Sequence, residues 1–167
     1  MATNDKRRTD VRRQNLDNPF WLTSAEFGVE DTGDTVILFE FPEAGKIFII
    51  EKAVCEVTTL FAGGTPLIDV GFGTVATPGA TSISAVGADD LIDQLDITAT
   101  TAGVYGWTAT NSVGAATWAT GAAVANENMV VGAATTVPII YATVSASLTA
   151  GVARVHLLVS ILPGTRA

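Results

Sequence analysis

His156 is the single histidine and Cys55 the single cysteine of this 167-residue sequence. Their scarcity limits the available chemistry at once. General-base or triad catalysis needs an imidazole beside a nucleophile and an orienting carboxylate. His156 stands in GVARVHLLVS two residues after Arg154, and a strand places both on one face. A strand histidine satisfied by its neighbours is the expected reading. Cys55, in KAVCEV, cannot form a disulfide within one chain or hold zinc alone. It reads as a small buried hydrophobe.

The densest carboxylates are Asp89, Asp90, Asp93 and Asp96 in GADDLIDQLDIT. Hard cations take oxygens from a loop of alternating acids with a turning glycine, and this spacing differs. A solvated helix face or a polar contact between subunits is expected in place of a cation site. The glycines at 63–64 and in GFG at 71–73 lack the strand-to-helix context and the Lys or Ser/Thr of a phosphate loop. They read as turn or bulge glycines. Glu40, Glu51, Glu56 and Asp69 lie in or near strands and read as solvent-facing positions, not as a paired-carboxylate cleft. The sequence therefore assigns no catalytic residue, no metal ligand and no cofactor.

Two further groups suit recognition. Trp21, Trp107 and Trp118 are the three tryptophans. Such rings serve as core, as interface anchors or as stacking platforms for sugars or bases. Residues 1–19 hold Lys6, Arg7, Arg8, Arg12 and Arg13, five of the nine basic residues, and few large aliphatics. A segment of this kind cannot bury enough apolar surface to fold alone. It reads as an extended arm, 1–19, ahead of a body, 20–167. Phe20, Trp21 and Leu22 stand at the junction and are expected to anchor the arm. Its arginines suit phosphates or carboxylates on a protein surface. The interspersed Asp5, Asp10 and Asp17 favour the protein surface and make nucleic acid the lesser reading.

The elements that must position these residues are strands. TVILFEF (35–41), KIFIIEKAVCEVTTLF (46–61) and PLIDVGFGT (66–74) are rich in β-branched and aromatic residues bounded by Gly and Pro. Glu51 and Lys52 interrupt the second and predict a kink or bulge. Residues 75–88 read as a long connection. Leu91, Ile92 and Leu95 are spaced as on one short helix, with Asp89 and Asp90 at its N-terminus. GVYGWTA (103–109), AATWAT (115–120) and NMVV (128–131) are shorter candidates. TVPIIYATVSA (136–146) and GVARVHLLVSILP (151–163) flank SLTAG and predict a closing hairpin. Val152, Arg154, His156 and Leu158 should share one face; Ala153, Val155, Leu157 and Val159 should share the other. The fold class is all-β, a sandwich or jelly roll of about eight strands with one short helix.

Composition sets the bounds. The chain is long enough for one domain with a real core. It is 48% hydrophobic and 16% charged, below the roughly 25% charge of ordinary domains, which suggests a surface partly covered in an assembly. The arm sets five basic groups against three acids, and the body sets fourteen acids against four basic groups, or +2 against −10 within the total of −8. An acidic body repels nucleic acid. No apolar run reaches membrane-helix length, and no apolar h-region follows the basic N-terminus, so neither a membrane span nor a secretory signal is expected.

GGTPLIDVGFGT (63–74), ADDLID (88–93), AGVYGW (102–107) and VPIIYATVSASLTAGVARVHLLVS (137–160) together resemble the small β-sandwich head proteins of tailed bacteriophages. These are the decoration or cement proteins that sit on the major capsid lattice, and the resemblance covers most of residues 35–162. It implies a jelly-roll-like body, a homotrimer, no enzymatic activity and a place on the capsid surface of a virion assembled in the host cytoplasm. It also implies that the arm, with Lys6, Arg7, Arg8, Arg12 and Arg13, reaches over neighbouring subunits of the major capsid protein. A head-fibre base, neck or tail component of the same particle is the alternative within that class. A carbohydrate-binding sandwich using Trp107 and Trp118 is the alternative outside it.

Overall fold

Runs of Val, Ile and Thr pair into two facing sheets, and the alternation within each run decides which side chains enter the core. A computed structural model describes residues 3–5, 19–31, 33–64, 67–96, 103–106, 129–144 and 148–162. One sheet has five strands in the order β1 (Thr3–Asp5), β4 (Thr35–Glu40), β10 (Val137–Val144), β6 (Leu67–Val75) and β7 (Ser84–Asp96). The other runs β2 (Phe20–Thr23), β11 (Ala150–Leu162), β5 (Ile47–Ala62) and β8 (Gly103–Gly106). In that second sheet β3 (Phe27–Gly28) also pairs with β11, and β9 (Met129–Val131) pairs with β5. The ladder of β1 on β4 is parallel; the other ladders among the described residues are antiparallel. Strands β4 and β6 belong to one sheet while β5 lies in the other, and β10 and β11 are divided likewise. This alternation is that of a jelly-roll-like sandwich, and the all-β expectation holds.

The core forms between the sheets. Val36 and Leu38 from one side meet Ile50, Ala53, Cys55, Val155 and Leu157 from the other. In β11 the alternation is as expected: Ala153, Val155, Leu157 and Val159 are fully buried, and the residues between them are half-buried. The predicted irregularity at Glu51 and Lys52 is a β-bulge, because Leu158 pairs with Lys52 while its neighbour Val159 pairs with Ile50. Both bulge residues are exposed. The extra residue switches the inward parity from Phe48 and Ile50 to Ala53, Cys55 and Val57. Strand β10 is apolar on both faces. Ile140 and Ala142 join the main core, whereas Val137, Ile139 and Tyr141 form a second cluster with Ile37 and Val75, covered by Ala80 and Ile83.

Three expectations are corrected. Residues 88–96 are strand, not helix. Ile68 pairs with Leu95, Val70 with Ile92 and Phe72 with Gly87, so β7 carries extra residues opposite β6. These bulges bury Leu91 and Ile92 side by side and imitate helical spacing. Asp89, Asp90, Asp93 and Asp96 therefore stand on a strand, not on a helix face, and the long connection shrinks to 76–83. Strands β10 and β11 do not form a hairpin, because the turn between them is a corner joining opposite sheets. There Gly151 has φ +131, and a Cβ on it would lie 2.3 Å from the Phe61 ring. Finally, eleven strands, several of them short, are found among the described residues, against the eight expected.

Candidate functional site

The outward residues of β11 lie between β2 on one side and β5 on the other, so the outer face of the six-stranded sheet collects side chains from three strands. Leu158 pairs with Trp21 and with Lys52, and His156 pairs with Thr23 and with Val54. His156 is satisfied at both ring nitrogens. Its Nδ1 lies 2.9 Å from Thr23 Oγ1, and its Nε2 lies 2.9 Å from Glu56 Oε2. A carboxylate only accepts, so the proton on Nε2 is donated to Glu56, and in the neutral ring the Thr23 hydroxyl donates to Nδ1. Arg154 donates to Glu26 at 2.7 Å, and Ser160 donates to Glu51 across the same ladder.

Hydroxyl, imidazole and carboxylate stand in the order of a catalytic relay. Acyl transfer also needs free donors aimed at a developing oxyanion. The amide after Thr23 is committed to the sheet, because Ser24 N–H donates to Val155 O at 2.9 Å. The Val155 amide in turn donates to the Ser24 hydroxyl at 3.0 Å. The arrangement therefore fastens β2, β11 and β5 together, as the reading of a satisfied strand histidine expects, with Glu56 and Thr23 as the partners.

Next to this network Trp21 is 53% exposed. It forms, with Val54 and His156, a shallow depression of about 230 Å³. Its neighbours Phe20 and Leu22 point the other way and pack against the core. Of the three junction residues, two hold β2 to the body and the third is presented outward. Lys6, Arg7, Arg8, Arg12, Arg13, Trp107 and Trp118 lie outside the described residues. Sequence reasoning named Trp21 and His156 but missed Thr23. Glu56 carried a signal of its own, as an outward carboxylate between the inward Cys55 and Val57.

The remaining candidates resolve by position. Cys55 is free and buried, and burial, with the nearby Glu56 charge, pushes its thiol up to about 12. It is a core hydrophobe. Glu40 and Asp69 lie in the five-stranded sheet and Glu51 and Glu56 in the other, so they do not converge. Gly71 and Gly73 lie inside β6, opposite the places where β7 bulges. Among the described residues no three His, Cys, Asp or Glu side chains gather to hold a metal. No helix there is long and apolar enough to cross a membrane.

No protein-family model and no curated protein matches the chain. Among solved structures it is similar to a chain in the capsid of Ralstonia phage GP4, with a TM-score of 0.59 and 15% sequence identity. The match covers 99% of this chain and 100% of that one, so the two share a fold from end to end.

Proposed function

We propose that this protein is a structural component of a phage virion, a cement or decoration protein that binds the assembled lattice of the major capsid protein and is not an enzyme. The observation that carries the reading is the end-to-end likeness to a chain of the Ralstonia phage GP4 capsid. The match covers 99% of this chain and 100% of that one, so the likeness is not confined to a part of either. The outer face of the six-stranded sheet supports it. Its acids Glu26, Glu51 and Glu56 are each paired with a neighbour, and an exposed tryptophan of the kind enriched at interface centres stands among them.

In this reading residues 1–19 are the arm. Lys6, Arg7, Arg8, Arg12 and Arg13 make charge-assisted contacts with carboxylates of neighbouring capsid subunits. Phe20 and Leu22 pin the arm to the body, and the copies cluster as trimers. A protein that binds only the assembled shell adds its binding free energy to the shell, about 2.7 kcal/mol per site at a hundredfold excess over Kd. Tethered contacts raise the avidity further.

The test is co-sedimentation with purified empty shells of the phage that encodes the chain, using the full chain, a form beginning at Phe20, and Trp21→Ala. Saturable binding that falls sharply without the arm or without Trp21 is expected. Equal retention of all three, or of none, would sink the reading.

A further inference from the structure

Strand β1 is a short piece of the sandwich and lies on the edge of a fully paired, well-buried strand. Thr3, Asn4 and Asp5 pair with Thr35, Val36 and Ile37 in a parallel ladder. Parallel pairing is slightly the weaker kind per residue, and Asn and Asp are depleted in strands. The acceptor is different. Val36, Ile37, Leu38 and Phe39 of β4 are all buried, and β10 holds the opposite edge of that strand. Without β1 the strand keeps its shape and presents an unpaired edge, which is a ready template for another chain.

The covalent path from β1 back to the next described strand is long. The next described strand, β2, belongs to the other sheet. Thirteen residues, 6–18, separate Asp5 from Pro19, and a chain of that length reaches up to about 45 Å when extended. Packed sheets lie only about 10 Å apart. The same span carries all five basic groups of the first nineteen residues, while residues 20–167 carry −10. The basic span of one copy is therefore complementary to the acidic body of another, although whole copies repel at long range.

We infer that Thr3–Asp5 is exchanged between copies, the β1 strand of one molecule pairing with the β4 edge of a second. The occupant is a second copy because the three paired positions and their register are those of this chain. Exchange makes the same backbone bonds in either molecule, so concentration decides between them. Covalent linkage supplies an effective concentration of about millimolar, and neighbours held side by side in an assembly reach that range. The exchange needs a second copy and no shell, so it stands or falls separately from the capsid reading.

The test uses two full-length chains, one carrying Thr3→Cys and the other Thr35→Cys. Paired strand positions lie about 4.8 Å apart, within the range a disulfide bridges. The two chains are refolded together under reducing conditions at high and at low concentration, oxidised once native, and resolved without reductant. A Thr3→Cys/Thr35→Cys heterodimer can arise only between molecules, and Cys55 is buried in the native fold. Exchange predicts that this heterodimer rises severalfold with concentration and stands severalfold above a Thr3→Cys/Thr23→Cys control, whose second cysteine lies in the other sheet. A heterodimer no more abundant than the control at any concentration overturns the inference. So does a double variant, Thr3→Cys with Thr35→Cys in one chain, that closes only on itself throughout.

Discussion

Replacing Gly151 with alanine tests the corner where the chain passes from the five-stranded to the six-stranded sheet. Two penalties meet there. Gly151 has φ +131, and a side chain in so sparsely populated a region costs about 1–3 kcal/mol. The new Cβ would also stand 2.3 Å from Phe61 Cδ1 and Cγ, and Phe61 is itself buried. Overpacking of this kind costs about 1–3 kcal/mol more. The total, about 2–6 kcal/mol, lowers the melting midpoint by about 5–20 °C for a domain of this size. Two controls separate the terms. Gly45 has φ +78, and a Cβ added there would meet no atom within 4 Å, so Gly45→Ala carries only the backbone penalty. Gly28 has ordinary φ, but its Cβ would lie 2.1 Å from Gly151 O, a backbone atom with no rotamer to escape into. Thermal and urea unfolding followed by circular dichroism should rank Gly151→Ala and Gly28→Ala well below Gly45→Ala. If Gly151→Ala melted with Gly45→Ala, the Phe61 ring would be free to move aside, and the close packing argued for this corner would be wrong.

The same unfolding assay reads the alternation of β11. Leu157→Ala, which empties a fully buried site, should cost about 2–5 kcal/mol; Leu158→Ala on the half-buried outer face should cost no more than about 1 kcal/mol. Equal losses would contradict the assignment of faces. The Cys55 thiol, raised from its ordinary 9.0 to about 12, should resist alkylation in the native protein and react only as fast as the protein unfolds. Its pH effect has a definite sign. The unfolded thiol loses its proton near pH 9 while the folded one keeps it, so this contribution is complete below pH 9 and declines between pH 9 and 12. A Cys55→Ala variant should show a shallower alkaline decline, and identical alkaline profiles would count against the burial argument.

How far the sequence discloses the structure depends on whether a feature is local. In β11 one face is uniformly apolar, so Ala153 to Val159 declare their burial. The bulge in β5 is equally legible, because two adjacent charges, Glu51 and Lys52, cannot both alternate into a core. In β7 the same device is hidden. Its extra residues fall among leucines and isoleucine, and Leu91 with Ile92 then reads as helical. The turn before Gly151 offers only hairpin residues, and nothing local says that its two strands belong to different sheets. That is decided by Phe61 and Gly28, far away in the chain. The His156 network is hidden for the same reason, since Thr23 and Glu56 lie 133 and 100 residues from it. A lone histidine in a strand declares its face but not its partners.

The placement of β10 and β11 also dictates when folding can happen. Among the described strands these are the last two in the chain, yet β10 lies between β4 and β6, and β11 lies between β2 and β5. A ribosome adding about 5–20 residues per second therefore releases β4, β5 and β6 several seconds before the strands that complete their sheets. Until then those Val- and Ile-rich strands have open edges and an uncovered face. Closure must wait for both strands, and with so many pairings between distant residues it belongs to the slow, millisecond-to-second class of folding. Rapid synthesis at high temperature should drive the nascent protein toward aggregation, and slower synthesis in the cold should favour the sandwich.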